Sequence, residues 1–110
     1  MTLDKMNPGI EAELTFLTAD EGGRRSPVRS GYRVVHDFYG VQPFTDAVHV
    51  YPGREEVHPG ETAIAELTLF APESHRGRLS PGMLFVVREG ARVVARGRIL
   101  RLLDESLLRP

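Results

Sequence analysis

Turn punctuation at short intervals limits the folds open to this chain more than any other feature. Pro-Gly pairs stand at Pro8-Gly9, Pro52-Gly53, Pro59-Gly60 and Pro81-Gly82, and Gly22-Gly23 adds another break. Proline presets one φ of a tight turn and glycine accepts the values that other residues resist. Between the turns, apolar residues recur at every second position. Ile10, Ala12, Leu14 and Phe16 alternate with Glu11, Glu13 and Thr15, the pattern of a half-buried strand. Residues 32–38 form a second candidate, blurred where Val34 and Val35 adjoin, and residues 46–51 a third, read through Val48 and Val50. Residues 62–70 form the clearest, with Ala63, Ala65, Leu67 and Leu69 on one face.

The last third reads as a hairpin. Residues 84–87 run in, Arg88-Glu89-Gly90-Ala91-Arg92 makes the turn, and residues 93–103 run out. On the return strand Val93, Ala95, Gly97 and Ile99 share a face, while Leu100 and Leu102 fall on the other. A β-bulge, or a switch from a half-exposed to a fully buried strand, accounts for that slip. Gly97 between Arg96 and Arg98 marks a close backbone approach at a bend. No long 3.6-residue apolar stripe occurs, apart from residues 102–108, which read as a short helical turn or a fraying tail. Strands this short and this regularly spaced argue a small all-β barrel or sandwich.

A chain of 110 residues is one domain. It has no cysteine, hence no disulfide framework and no thiolate chemistry. The N-terminus has no apolar h-region, and no apolar run reaches membrane-spanning length. These absences point to a soluble, cytoplasmic protein with no membrane association. The net charge of −1 hides an asymmetry. Asp4, Glu11, Glu13, Asp20 and Glu21 precede Arg24, Arg25, Arg29 and Arg33, which lie in a stretch without acids. Arginine's planar fork suits phosphate and carboxylate groups. Of His36, His49, His58 and His75, no set has zinc-ligand spacing, and His36-Asp37 on a strand would face opposite ways. No serine lies in a nucleophile elbow. The reading is therefore no metal, no cofactor and no catalytic residue. The polar segment 72–81 reads as a tolerated surface insertion in preference to a partner-docking loop.

Two motifs carry a family resemblance. Asp20-Glu21-Gly22-Gly23-Arg24-Arg25-Ser26-Pro27 is followed by Gly31-Tyr32-Arg33, and Arg88-Glu89-Gly90-Ala91-Arg92 answers them near the other end. With Val57-His58-Pro59-Gly60-Glu61 between, their order and spacing resemble the C-terminal β-barrel of elongation factor Tu, its third domain. The resemblance covers residues 10–103, with tails at 1–9 and 104–110. It implies a six-stranded antiparallel closed β-barrel, here as a single stand-alone domain.

In that family the barrel holds the T-stem of aminoacyl-tRNA and packs on a GTPase domain. The tRNA backbone is touched from the Gly-Gly-Arg loop, the strand after Gly-Tyr-Arg, and the Glu-Gly of the last hairpin. Carried over by position, the RNA-binding candidates are Arg24, Arg25, Arg29, Arg33, Glu89 and Gly90. Arg25 stands where the family usually has histidine. Val35 replaces a glutamine expected to bond the RNA, and valine has nothing to donate. Residues 39–43 replace a threonine-rich stretch. There is no Gly-x-x-x-x-Gly-Lys-Ser/Thr and no length for a GTPase domain, so no nucleotide hydrolysis is expected. The resemblance implies a translation-linked, non-enzymatic module that contacts tRNA or structured RNA. The alternative is a protein-interaction module that mimics the factor's barrel and binds an exchange factor, a toxin, another of the factor's partners, or a GTPase domain supplied in trans. A third reading is a residual fragment of a split or decayed factor with no separate role.

Overall fold

The alternating segments become six strands in a computed structural model that describes residues 7–110. They are β1 (Ile10–Phe16), β2 (Arg33–Asp37), β3 (Thr45–Val50), β4 (Thr62–Leu69), β5 (Leu84–Glu89) and β6 (Arg92–Leu102). They close into a barrel in the order β1-β4-β3-β2-β5-β6, every neighbouring pair antiparallel. Closure leaves no sheet edge to template aggregation. The expected all-β, six-stranded antiparallel closed barrel is thus the observed fold. No helix among the described residues is long and apolar enough to cross a membrane.

The period-2 faces point inward as the sequence implies for β1 and β4. Ile10, Ala12, Leu14 and Phe16 meet Ala63, Ala65, Leu67 and Leu69 in one buried core. Burying a large aliphatic side chain there is worth about 1.5–3 kcal/mol. On β3 the interior face is Ala47 and His49, not Val48 and Val50. Val48 is covered but lies outside the core cluster.

Strand β6 slips register twice. Against β1 the pairing jumps from Glu11↔Arg101 to Ala12↔Ile99, so Leu100 is the extra residue and the expected bulge is present. Against β5 it jumps from Val87↔Ala95 to Arg88↔Val93, so Val94 is extra as well. Val94 and Ala95 are therefore both buried, and Val93 leaves the interior face that strict alternation assigned it. Gly97 lies opposite Phe85, and a Cβ there would sit within 2.7 Å of three carbons of its ring. The close approach read from Arg96-Gly97-Arg98 is that of an aromatic ring against bare backbone.

The tail does not fray. Glu105–Leu107 form one 3-10 turn, and Leu107 is wholly buried. The amides of Arg78 and Leu79 both donate to the Leu107 carbonyl, at 3.1 and 2.9 Å, and Arg109 N–H donates to the Leu79 carbonyl at 2.7 Å. Segment 72–81 is accordingly more than a surface insertion, because it supplies His75 and Leu79 to the interior. Most of residues 1–9 lies outside the described residues.

Strand directions fix which loops share each end of the barrel. The loop after β1, the β3–β4 loop and the β5–β6 turn share one end. The β2–β3 connection, residues 70–83 and the tail share the other.

Candidate nucleic-acid interface

The two motifs from opposite ends of the sequence meet at the first of these ends. The Gly-Gly-Arg loop is braced internally. Thr18 N–H donates to Glu21 Oε1 at 2.9 Å, and Glu21 N–H donates back to Thr18 Oγ1 at 3.2 Å. Its bonds from Thr18, the backbone one first, hold the exposed Glu21 carboxyl below its usual range. Gly23 N–H donates to the Thr18 carbonyl at 2.9 Å, and a Cβ at Gly23 would lie 2.8 Å from the Leu17 carbonyl carbon. Only glycine allows the loop to fold back this tightly, and that fold aims Arg24 at the last hairpin.

Arg24 forms an ion pair through Nη1 with Glu89 Oε2. Its Nη2 donates to Ser26 Oγ at 3.0 Å and its Nε to the Ser26 carbonyl at 3.3 Å. Glu89 also receives Tyr32 O–H at 2.5 Å and Arg92 Nη2 at 3.1 Å. Burial pushes the Glu89 carboxyl upward, but the bonds from Tyr32 and Arg24 and the nearby guanidiniums outweigh it and hold it low. For Arg24 too, burial works against the charge and Glu89 restores it, so the guanidinium stays fully ionised. Burial and then Glu89 push the Tyr32 hydroxyl well above the ordinary phenol. The Arg24 guanidinium also lies 5.1 Å from the Tyr32 ring centroid.

The structure sorts the sequence candidates. Arg24, Glu89 and Gly90 come together. Gly90 is exposed at φ +60, with open space within 4 Å of where a Cβ would stand. Arg25 is exposed beside them and has no carboxylate in reach among the described residues. Arg29 is exposed and pairs loosely with Glu56 at 3.4 Å. Arg33 belongs to the barrel's side: its Nε donates to Asp46 at 2.9 Å, and its guanidinium covers the Phe70 ring at 4.0 Å.

Charge at this end is balanced. Arg24, Arg25, Arg29, Arg54 and Arg92 stand among Asp20, Glu21, Glu55, Glu56, Glu61 and Glu89. Arg54 is itself held by Glu61 at 2.9 Å. The asymmetry seen along the sequence is erased when the loops fold together.

Sequence reasoning missed the central member, Tyr32. It stood in the Gly31-Tyr32-Arg33 motif, but only the fold shows that its hydroxyl and ring bind both Glu89 and Arg24. A family model described as the elongation factor Tu C-terminal domain matches residues 5–103. The chain belongs to that family. The elongation factor Tu motifs named from the sequence thus fall on one end of a barrel of the expected kind. Val35, standing where the family's glutamine is expected, is half-buried on β2 and pairs across to Arg88.

Proposed function

We propose that this elongation factor Tu-type barrel is a non-enzymatic, translation-linked binding module of the cytoplasm that contacts tRNA or a similar structured RNA. The observation that supports this most is the Arg24–Glu89 contact. It joins the Gly-Gly-Arg and Glu-Gly motifs into one rigid edge, with Arg25 and Gly90 exposed beside it. Glu89 Oε1 is an acceptor suited to a ribose 2′-hydroxyl, the group that marks an A-form minor groove. Gly90 lets a backbone approach closely, and Arg25 and Arg29 are the cations best placed for phosphates.

The balance of charge sets the character of such binding. With one or two phosphate contacts, the salt slope is shallow, about −1 to −2 in log K against log salt. Shape and hydroxyl recognition carry the rest.

The test is titration of unfractionated tRNA and matched duplex DNA at several salt concentrations. The reading requires tRNA binding with a shallow slope, preference over DNA, and loss in Glu89→Gln and Arg25→Ala. A folded protein that binds neither nucleic acid overturns it. The protein-interaction reading is favoured by Val35 and by the paired state of Arg24 and Arg33, and RNase-insensitive recovery of a stoichiometric protein partner supports it.

A further inference from the structure

The far end of the barrel holds a second basic site, built from parts that the RNA reading does not use. Tyr39, Gly77, Arg78, Ser80, Met83 and Arg109 surround a pocket of about 390 Å³, within the size range of small-ligand sites. Among the described residues no acidic one lines it. Its walls are segment 72–83 and the tail, tied together by the Leu79–Leu108 bridge and the hydrogen bonds around Leu107.

The aromatic wall is fixed from behind. The Tyr39 ring stacks on His75, with centroids 5.5 Å apart and planes 18° apart, and its hydroxyl lies 2.7 Å from His75 Nδ1. His75 is wholly buried, and its Nε2 has no hydrogen-bond partner among the described residues. The Arg78 guanidinium lies over the Tyr39 ring, 4.1 Å from its centroid. That stacking holds the fork in one plane.

Arg78 is short of acceptors. Among the described residues its side chain makes one hydrogen bond, a 3.4 Å contact to the Ser74 carbonyl. Neither Arg78 nor Arg109 has a carboxylate partner among the described residues, whereas Arg24, Arg33, Arg54, Arg88 and Arg92 all do. Arg78 and Arg109 both line this concavity, and an oriented fork binds carboxylate or phosphate in two-point fashion.

We propose that this pocket binds a small molecule bearing a carboxylate or phosphate group, its oxyanion on Arg78 and Arg109 and its organic part against Tyr39 and Met83. The site is independent of the RNA-facing end and stands or falls separately.

The experiment is amide NMR titration of the whole chain at low salt with inorganic phosphate and, separately, with N-acetylglutamate. Saturable shifts at Gly77, Arg78 and Ser80, with a Kd on the order of 1 mM or tighter for one probe, are expected. Whichever probe saturates names the oxyanion. Arg109→Ala and Arg78→Ala each weaken binding by about tenfold or more, and Arg78→Lys, which keeps charge but loses the fork, weakens it severalfold. Arg25→Ala leaves it unchanged. Absence of saturation with both probes, shifts spread over all exposed arginines, or folded variants that bind as wild type would each overturn the proposal.

Discussion

His36 Nε2 and His49 Nε2 lie 2.9 Å apart inside the barrel, and one proton serves both. His36 Nδ1 faces the Val34 carbonyl at 3.0 Å, so it must carry a hydrogen and leave Nε2 as an acceptor. His49 then donates from Nε2, and its Nδ1 accepts the Tyr51 hydroxyl at 2.7 Å. The chain Tyr51–His49–His36–Val34 is satisfied with both rings neutral, and burial disfavours a charge on either.

Acid is therefore expected to destabilise the fold well above the carboxylate range. Burial pushes His36 down to about 4, its backbone bond and Asp46 opposing only in part. Burial and then His36 push His49 well below its usual value. A histidine whose folded pKa is depressed contributes fully above its unfolded pKa of about 6.5 and loses that contribution as pH falls towards the folded value. Urea melts from pH 8 to 4.5 should show stability level above about pH 7, then falling by roughly 1.4–2.7 kcal/mol per pH unit as one to two protons are taken up on unfolding. Level stability from pH 7 to 5 would show that burial does not hold the two rings neutral. Ring ¹⁵N shifts should show His36 protonated at Nδ1 and His49 at Nε2.

Gly97→Ala tests the contact between β5 and β6. The new methyl would lie within 2.7 Å of three Phe85 ring carbons, so the ring or a strand must move. The expected loss is about 1–3 kcal/mol. Adding Phe85→Leu should cost less in the Gly97→Ala background than in the wild type, because the smaller side chain relieves the overlap. Simple additivity in a double-mutant cycle would show that Phe85 is not the obstacle.

Leu107→Ala asks whether the tail belongs to the fold. Leu107 is wholly buried and its carbonyl accepts two amides of the 72–81 segment. Truncation should cost about 2–5 kcal/mol, the range for a buried leucine. A loss within about 0.5 kcal/mol, typical of surface positions, would mean that the tail frays.

These sites also mark where sequence reading works and where it stops. Ile10 to Phe16 and Ala63 to Leu69 were legible because a strand with one buried face writes its geometry at period 2. The bulge at Leu100 was legible because it breaks that period. The bulge at Val94 was not, since Val93-Val94-Ala95 offers an apolar residue in either register. On β3 the interior position is taken by a histidine, so the valines suggested the wrong face. Only the three-dimensional pairing of β2 with β3 neutralises the cost of burying His36 and His49. Leu107 was hidden for a different reason: a single anchor in a short polar tail has no period to read. At the candidate interface the motif residues were nameable, but whether Arg24 or Arg25 is the free cation depends on which loop folds against Glu89.

Arg24 and Arg25 should therefore separate into stability and binding. Arg24 spends its donors on Glu89 and Ser26, and its removal leaves the partly buried Glu89 with only Tyr32 and Arg92 as partners. Arg24→Ala should cost about 1–3 kcal/mol in urea unfolding, the penalty for stripping a partner from a buried charged group. The loss should shrink as pH falls below about 4, because Glu89, held low in the fold, contributes above its unfolded value and loses that contribution on protonation. Arg25→Ala should stay within about 0.5 kcal/mol of wild type and reduce the salt slope of tRNA binding by roughly one phosphate contact. Equal stability losses in the two variants would show that the Arg24–Glu89 contact does not hold the loops together. A loss of stability in Arg24→Ala with an unaltered salt slope in Arg25→Ala would keep that contact as structural and remove Arg25 from the RNA-facing edge.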